Sequence, residues 1–206
     1  MVVLMLLLSQ PGVQSRCSVK VQDMKQITPK IALEILGHEA IVREAYKDSV
    51  DVWTWGVGIT EASGHQVYPR YLDRPQSLHK CLNVYLQILR DAYLPAVLDR
   101  FAGLDLKEHE LGAALSFHYN TGGIGMATWV DDWIKGDIES ARSSFMNWSK
   151  PLQIVPRRKK ERDLFFDGIW SSEGTVCELL VDKTTYRPDP ATKREVAVRA
   201  IVSQLL

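Results

Sequence analysis

Residues 39–58 read EAIVREAYKDSVDVWTWGVG, and this stretch decides the fold. Its second half is β in character. Val52, Trp53, Thr54, Trp55, Val57 and Ile59 are β-branched or aromatic, side chains that suit a pleated, half-buried surface. Ser49, Val50 and Asp51 suit a turn, and Gly56 and Gly58 permit close backbone approach. The pattern runs from Tyr46 to Ile59 and predicts a small hairpin or three-stranded antiparallel sheet. Glu39 stands ahead of it, at or just past the end of a preceding helix. Asp48 follows nine residues later (48 − 39), on the first strand, and Thr54 six residues after that (54 − 48). A carboxyl at a helix end and another on the first strand of a sheet can face each other across a cleft. Glycoside hydrolysis needs two carboxyl groups in different states, one protonated to release the leaving oxygen and one ionised. A threonine on the adjoining strand can orient a water. The chain carries 25 Asp and Glu residues, so spacing alone does not single out this pair. Glu44, read as part of the linking turn, competes with Glu39 for the acid's role.

Outward from this stretch the chain is mostly helical. Upstream, Thr28-Pro29 is a hydroxyl cap followed by proline at the first helical position, and Ile31, Ile35 and Leu36 recur at helical spacing. Downstream, a loop rich in Gly, Pro and Asp ends at Ser77, which can cap a helix striped by Leu78, Leu82, Tyr85, Leu86, Leu89 and Tyr93; Pro95 is expected to kink it. Further helices are expected over 107–119, 126–134, 137–148 and 156–166, with Gly168 as a terminator. An apolar run at 176–181 precedes a last amphipathic helix, opened by Asp189-Pro190 and striped by Val198, Ile201, Val202 and Leu205. The fold class is α+β, mostly helical: a small antiparallel β lobe and a larger helical lobe around a cleft, the favoured place for a ligand.

The stretch resembles the catalytic signature of the phage-type lysozymes (endolysins): a glutamate, then Tyr-x-Asp, then Thr-x-Gly-x-Gly, matched in register by Glu39, Tyr46-Lys47-Asp48 and Thr54-Trp55-Gly56-Val57-Gly58. Residues 114–122, ALSFHYNTG, resemble the family's central helix, and 156–162, PRRKKER, its arginine-rich C-terminal helix. The resemblance covers roughly residues 24–170 as one catalytic domain. It implies a lysozyme-like two-lobed fold and a muramidase that cleaves the β-1,4 bond between N-acetylmuramic acid and N-acetylglucosamine. Glu39 resembles the general acid, and Asp48 and Thr54 the pair that positions the attacking water. That arrangement implies inversion, with carboxyls about 6.5–9.5 Å apart. Arg157, or its neighbour Arg158, is implied to pair with Glu39. Tyr119 and Asn120 match the part of the central helix that faces the sugar cleft, although packing explains them equally well, and Thr60 is a further candidate sugar contact. Two positions depart from the family pattern: Ala40 stands where glycine usually follows the acid, and Ile59 where histidine usually follows the second glycine. Neither supplies the acid or the water-positioning groups.

Composition narrows the partners. Lys and Arg number 25, equal to the acids, so no general attraction to nucleic acid is expected. Three cysteines far apart show no CxxC, and His38-Glu39 lacks the second histidine of HExxH because Val42 stands there. No cofactor and no metal are expected; the partner is the peptidoglycan glycan strand, and the protein is expected to be a monomer without a stable membrane span. Two rival functions are a lytic transglycosylase, which needs the acid but no water-positioning pair, and a non-catalytic wall-binding or structural phage protein. The presence of both Asp48 and Thr54 favours the hydrolase. Residues 1–23 form an N-terminal extension whose apolar run, Val2 to Leu8, has no preceding Lys or Arg. It reads either as a short export signal or as an over-extended frame whose start is Met24. An endolysin of this type would accumulate in the host cytoplasm and act in the periplasm. The tail, 171–206, receives no role from its residues.

Overall fold

The computed structural model describes residues 26–206. The N-terminal apolar run and Met24 lie outside the described residues. The body opens with α1 (Pro29–Leu36), capped as the sequence predicts: the Thr28 hydroxyl accepts from the Ile31 amide at 3.2 Å, and Ile31, Ile35 and Leu36 are buried. Two residues separate its cap, Gly37, from β1 (Ala40–Lys47). This strand starts six residues before the predicted β pattern, so Glu44 lies within it, buried, and not in a linking turn. The cause is a bulge. Val42 pairs with Gly56 and Tyr46 with Thr54, so four residues of β1 span two of β2 (Trp53–Gly56). The bulge breaks the two-residue alternation by which a strand is recognised. The short β3 (Ile59–Thr60) completes the expected antiparallel unit.

The helical lobe follows. Helix α2 (Leu78–Ile88) is capped by Ser77 and runs through a wider π-helical turn, Leu89–Tyr93, into α3 (Leu94–Arg100). The irregularity sits immediately before Pro95, whose ring cannot fit beneath the carbonyl of a regular preceding turn. Helix α4 (Glu108–Thr121) is the centre of the lobe, buried along nearly its whole length. Gly112 lets it approach α1: a Cβ there would sit 3.3 Å from Ile31 and from Trp170. Helices α5 (Thr128–Ile134), α6 (Ile138–Phe145) and α7 (Val155–Asp167) pack around it through Phe101, Phe117, Trp129, Phe145 and Phe165. Such interlocked aromatic pairs supply large buried area with defined geometry.

The tail joins the β lobe. Strand β4 (Thr175–Val181) pairs parallel with β1, Ala40 opposite Cys177 and Ile41 opposite Glu178, and antiparallel with β5 (Pro188–Ala197). The result is a five-stranded sheet in the order β3-β2-β1-β4-β5. Asp189-Pro190 therefore opens no helix. Residues 188–197 are an edge strand fixed by backbone pairing to β4, with its two prolines near its start, where a missing donor is tolerated. The final helix, α8, is confined to Arg199–Leu205, and its expected stripe holds: Val198 and Val202 are buried, while Ile201 and Leu205 pack against the core.

Candidate active site

Three elements converge on Glu39. It follows α1, precedes β1 and faces the N-terminal part of α7. Arg157 on α7 donates from Nη1 to Glu39 Oε1 at 2.5 Å and from Nε to Glu161 Oε1 at 2.8 Å. Of the two arginines the sequence proposed, Arg157 makes the pair. Arg158 turns inward, fully buried. It donates to Glu161 Oε2, to Asn120 Oδ1 at 2.7 Å and to the Trp148 carbonyl at 3.1 Å, with its guanidinium 4.6 Å from the Phe117 ring centre. Ser116 on α4 adds a hydroxyl donor to Glu161 at 2.6 Å. Two arginines and two glutamates thus balance their charges within the lobe interface, which is the condition for burying them. Glu161 is the hub of this network and drew no role from the sequence. The available signal was its spacing, three and four residues after two arginines on one helix.

The opposite wall is the glycine loop. A Cβ at Gly58 would lie 3.5 Å from Glu39 Oε2, and Gly58 has φ +70°, so a side chain there would be strained and would press on the carboxylate. The Val57 carbonyl accepts the Tyr119 hydroxyl, which ties this loop to α4. Tyr119 is partly buried beside Tyr85 and Tyr93, at 5.8 and 4.8 Å between ring centres. Burial pushes the Tyr119 phenol well above its usual range, and the Glu39 charge pushes it further. Its hydroxyl is thus engaged as a tie between lobes. Asn120 faces a separate cavity of about 390 Å³, lined also by Asn147, Trp148 and Lys150.

Asp48 lies beyond the other end of β1. Its Oδ1 accepts the amides of Val50 and Val52, both at 2.9 Å, within the exposed turn that leads to β2. Among the described residues, Oδ2 accepts no hydrogen bond. Thr54 stands directly opposite Tyr46 on β1 and Thr60 on β3, so these three share one face of the sheet. Thr54 is buried and its hydroxyl donates to the Val52 carbonyl at 3.1 Å. Tyr46 stands between the two carboxyls. Its phenol is raised first by burial, then by the charges of Glu39 and Asp48. The other face of the same strand is core: Trp55 is fully buried and stacks 4.0 Å from Tyr71. The departures from the expected pattern sit quietly, Ile59 buried beside Gly56 and Ala40 opening β1.

A polar cavity of about 380 Å³ reaches Glu39 from the tail, with Ser171, Ser172, Lys193 and Glu195 in its walls. The tail is anchored nearby by Glu34. The buried Glu34 carboxylate accepts the Ser171 hydroxyl at 2.6 Å and the Ser171 and Ser172 amides at 2.9 Å. Burial alone would raise its pKa; hydrogen bonds from His38, Ser171 and Ser172 outweigh that and hold it down to about 2. Among the described residues, no group of three or more His, Cys, Asp or Glu is arranged to hold a metal ion.

Comparison with known proteins agrees with this fold. The family model described as phage lysozyme matches residues 37–161, more than half of the chain. Among solved structures, an endolysin from Escherichia coli O157:H7 phage FAHEc1 is 19% identical with a TM-score of 0.61, over 71% of this chain and 97% of that one. A point variant of P22 lysozyme is 21% identical with a TM-score of 0.56, over 69% and 99%. The muramidase domain of SpmX from Asticaccaulis excentricus is 18% identical with a TM-score of 0.52, over 68% and 97%. At these identities the structures speak for the fold alone. A comparison with curated protein sequences gives no match.

Proposed function

The chain belongs to the phage lysozyme family, and from that premise we propose that it hydrolyses the β-1,4 bond between N-acetylmuramic acid and N-acetylglucosamine, with inversion, in host cell lysis. As a lysozyme it is a glycoside hydrolase acting on peptidoglycan. The observation that supports the finer reading is the placement along β1: Glu39 before its first residue, Asp48 just after its last, and Tyr46 under the charges of both.

In this reading Glu39 gives its proton to the bridging oxygen as the bond to the anomeric carbon breaks. Arg157 orients it, but Arg157 is shared with Glu161, so only part of the cation's charge acts on the acid. On the opposite face of the sugar, Asp48 Oδ2 accepts a proton from water while the Thr54 hydroxyl aligns that water for attack. The water oxygen bonds to the anomeric carbon as the leaving oxygen departs, and configuration inverts. Thr60 extends the same sheet face toward sugar; Asn120 and the cavity beside it suit a more distant contact. Among the described residues no helix is long and apolar enough to cross a membrane.

The test uses purified peptidoglycan and outer-membrane-permeabilised Gram-negative cells. The expected outcome is clearing of turbidity and reducing-end muropeptides, with the α-anomer appearing first by NMR. Anhydro-muramic ends would replace this reading with transglycosylation; folded protein without clearing would replace it with wall binding.

A further inference from the structure

The tail hairpin reaches the turn that carries Asp48, by contacts that no role assigned above uses. Its tip, residues 182–187, is closed on itself: the Asp182 amide donates to the Arg187 carbonyl at 2.9 Å and the Tyr186 amide to the Asp182 carbonyl at 2.7 Å. From this closed tip hydrogen bonds, a ring contact and an ion pair cross to the first hairpin. The Lys47 amide donates to the Tyr186 carbonyl at 2.7 Å. Arg187 donates from Nη1 to the Asp48 carbonyl and from Nη2 to Asp51 Oδ1, both at 2.7 Å. The Tyr186 ring sets its edge on Trp53, with centres 5.8 Å apart. Lys183 adds an ion pair to Glu44 and another to Asp73 at 2.9 Å.

These contacts fall on an exposed turn that contains one strained residue. Asp51 adopts φ +66°, a left-handed conformation that costs a non-glycine residue energy; the Asp48 amide closes the turn on the Val52 carbonyl at 3.0 Å, and the Asp51 amide reaches the Asp48 carbonyl at 3.2 Å. The turn is exposed, so water competes for each of its bonds. Arg187 closes it from outside by bridging the carbonyl of Asp48 to the carboxylate of Asp51. With the turn closed, the Val50 and Val52 amides stay on Asp48 Oδ1 and fix the carboxylate's orientation. The base of the hairpin is held in place independently: the buried Glu178 carboxylate takes Arg43 at 2.6 Å and Arg194 at 2.7 Å.

We propose that the C-terminal hairpin is a brace for the water-activating turn and that Arg187 is a positioning residue for Asp48. This rests on the role of Asp48 given under Proposed function. The brace acts on orientation in the reaction and not on sugar binding, because Arg187 touches the backbone behind the carboxylate.

The experiment compares Arg187→Ala, Arg187→Lys, Asp51→Ala, the Arg187→Ala/Asp51→Ala double variant, Arg194→Ala and Asp48→Asn with the full chain. Readouts are kcat and KM on soluble uncrosslinked glycan strands and amide hydrogen exchange. Arg187→Ala is expected to lower kcat about 5- to 10-fold with KM unchanged, the scale of one ordinary hydrogen bond lost at an exposed site. Exchange at the Val50 and Val52 amides should quicken by a similar factor. Arg187→Lys should recover part of the loss, the double variant should lose no more than either single one, and Arg194→Ala should keep its kcat. If Asp48→Asn is inactive while Arg187→Ala keeps full kcat and slow exchange at Val50 and Val52, the brace is wrong and the role of Asp48 stands. If Asp48→Asn is as active as the full chain, that role fails and the brace fails with it.

Discussion

At one end of β1, Glu39 is gripped by a buried arginine that is itself gripped by a buried glutamate; at the other end, Asp48 sits in an exposed turn held by two backbone amides. The acid's corner is built in the helical lobe. Its four charged groups come from the junction of α1 with β1 and from α7, and α4 adds Ser116. The water's corner is built in the sheet and is open to solvent, braced from behind by the tail. The two proposed jobs account for the difference. On the acid's side the carboxyl has to be held in one orientation, and partners that do this from the lobe interface are buried and charge-balanced. A base that activates water needs an open oxygen, and only its far side can be fixed by protein.

The largest expected effect removes the chemistry at either end while sparing the structure around it. Glu39→Gln should lower lytic activity by at least about 10³-fold, and Asp48→Asn by about 10²–10³-fold, the range for a general acid or base. Both should fold, as judged by circular dichroism. Clearing of permeabilised cells at the full rate by Glu39→Gln would break the comparison, because the guarded corner would then guard nothing catalytic.

Next comes the hub behind the acid. Glu161→Gln leaves Arg158 buried with no countercharge and Arg157 with Glu39 alone. Stability should fall by about 3–5 kcal/mol, read by denaturant melts. Replacing Arg158 by Met in the same chain should restore much of the loss. The matching removal at the exposed corner, Asp51→Ala, should cost well under half as much, since exposed pairs contribute about 0–1 kcal/mol. Equal losses at the two corners would mean that the helical network is more hydrated than its burial implies.

These two corners were unequally legible. The Glu39–Arg157 pair, 118 residues apart, is implied only by the family resemblance, whereas the Thr28 cap and the β character of 52–59 follow from residue types at characteristic spacings, which local physics reads well. The start of β1 does not, because its bulge places Glu44 and Ala45 side by side in the interior, a pattern of neither helix nor alternating strand. Strand β5 is illegible in the sequence because Lys193, Arg194 and Glu195 carry little β signal; pairing with β4 makes the strand, and that partner is fixed only in three dimensions. Glu161 and Glu34 are the clearest omissions. A buried, fully bonded carboxylate and a solvated one are the same letter. Only the fold shows which of them has lost its water. The tail likewise carried no motif, since its contribution is made through backbone carbonyls and ion pairs to segments more than a hundred residues away.

Glu34 ties the tail to α1 beside the acid, and its titration gives a prediction of sign. Its folded pKa of about 2 lies below the ordinary 4.5. The unfolded chain therefore binds this proton more readily, and the stability it contributes is complete above about pH 5. It is lost as pH falls through 4.5 toward 2. The depression corresponds to about 3 kcal/mol. Urea melts of Glu34→Gln should show a loss of about that size at pH 7, shrinking steadily toward pH 2, where the two proteins converge. A loss that stays constant with pH would assign the effect to packing instead of charge.

The smallest expected effect is at Glu44, and it is the sharpest discriminator between the two corners. Glu44 is a carboxylate on the same strand as the catalytic stretch, four residues from Asp48, and it competes on sequence for the acid's role. Its position in the bulge sends it away from the cleft, into an ion pair with Lys183 of the tail tip. Lys183 is about half exposed and keeps Asp73 as a second partner, so losing the Glu44 charge weakens the tip without releasing it. Glu44→Gln should therefore keep most of its lytic activity and lose no more than about 1 kcal/mol of stability. Because the pair belongs to the brace, any fall in rate should appear in kcat and should vanish when Arg187 is already replaced by Ala. A Glu44→Gln enzyme as inactive as Glu39→Gln would move the acid to the middle of β1 and abolish the distinction between its two ends.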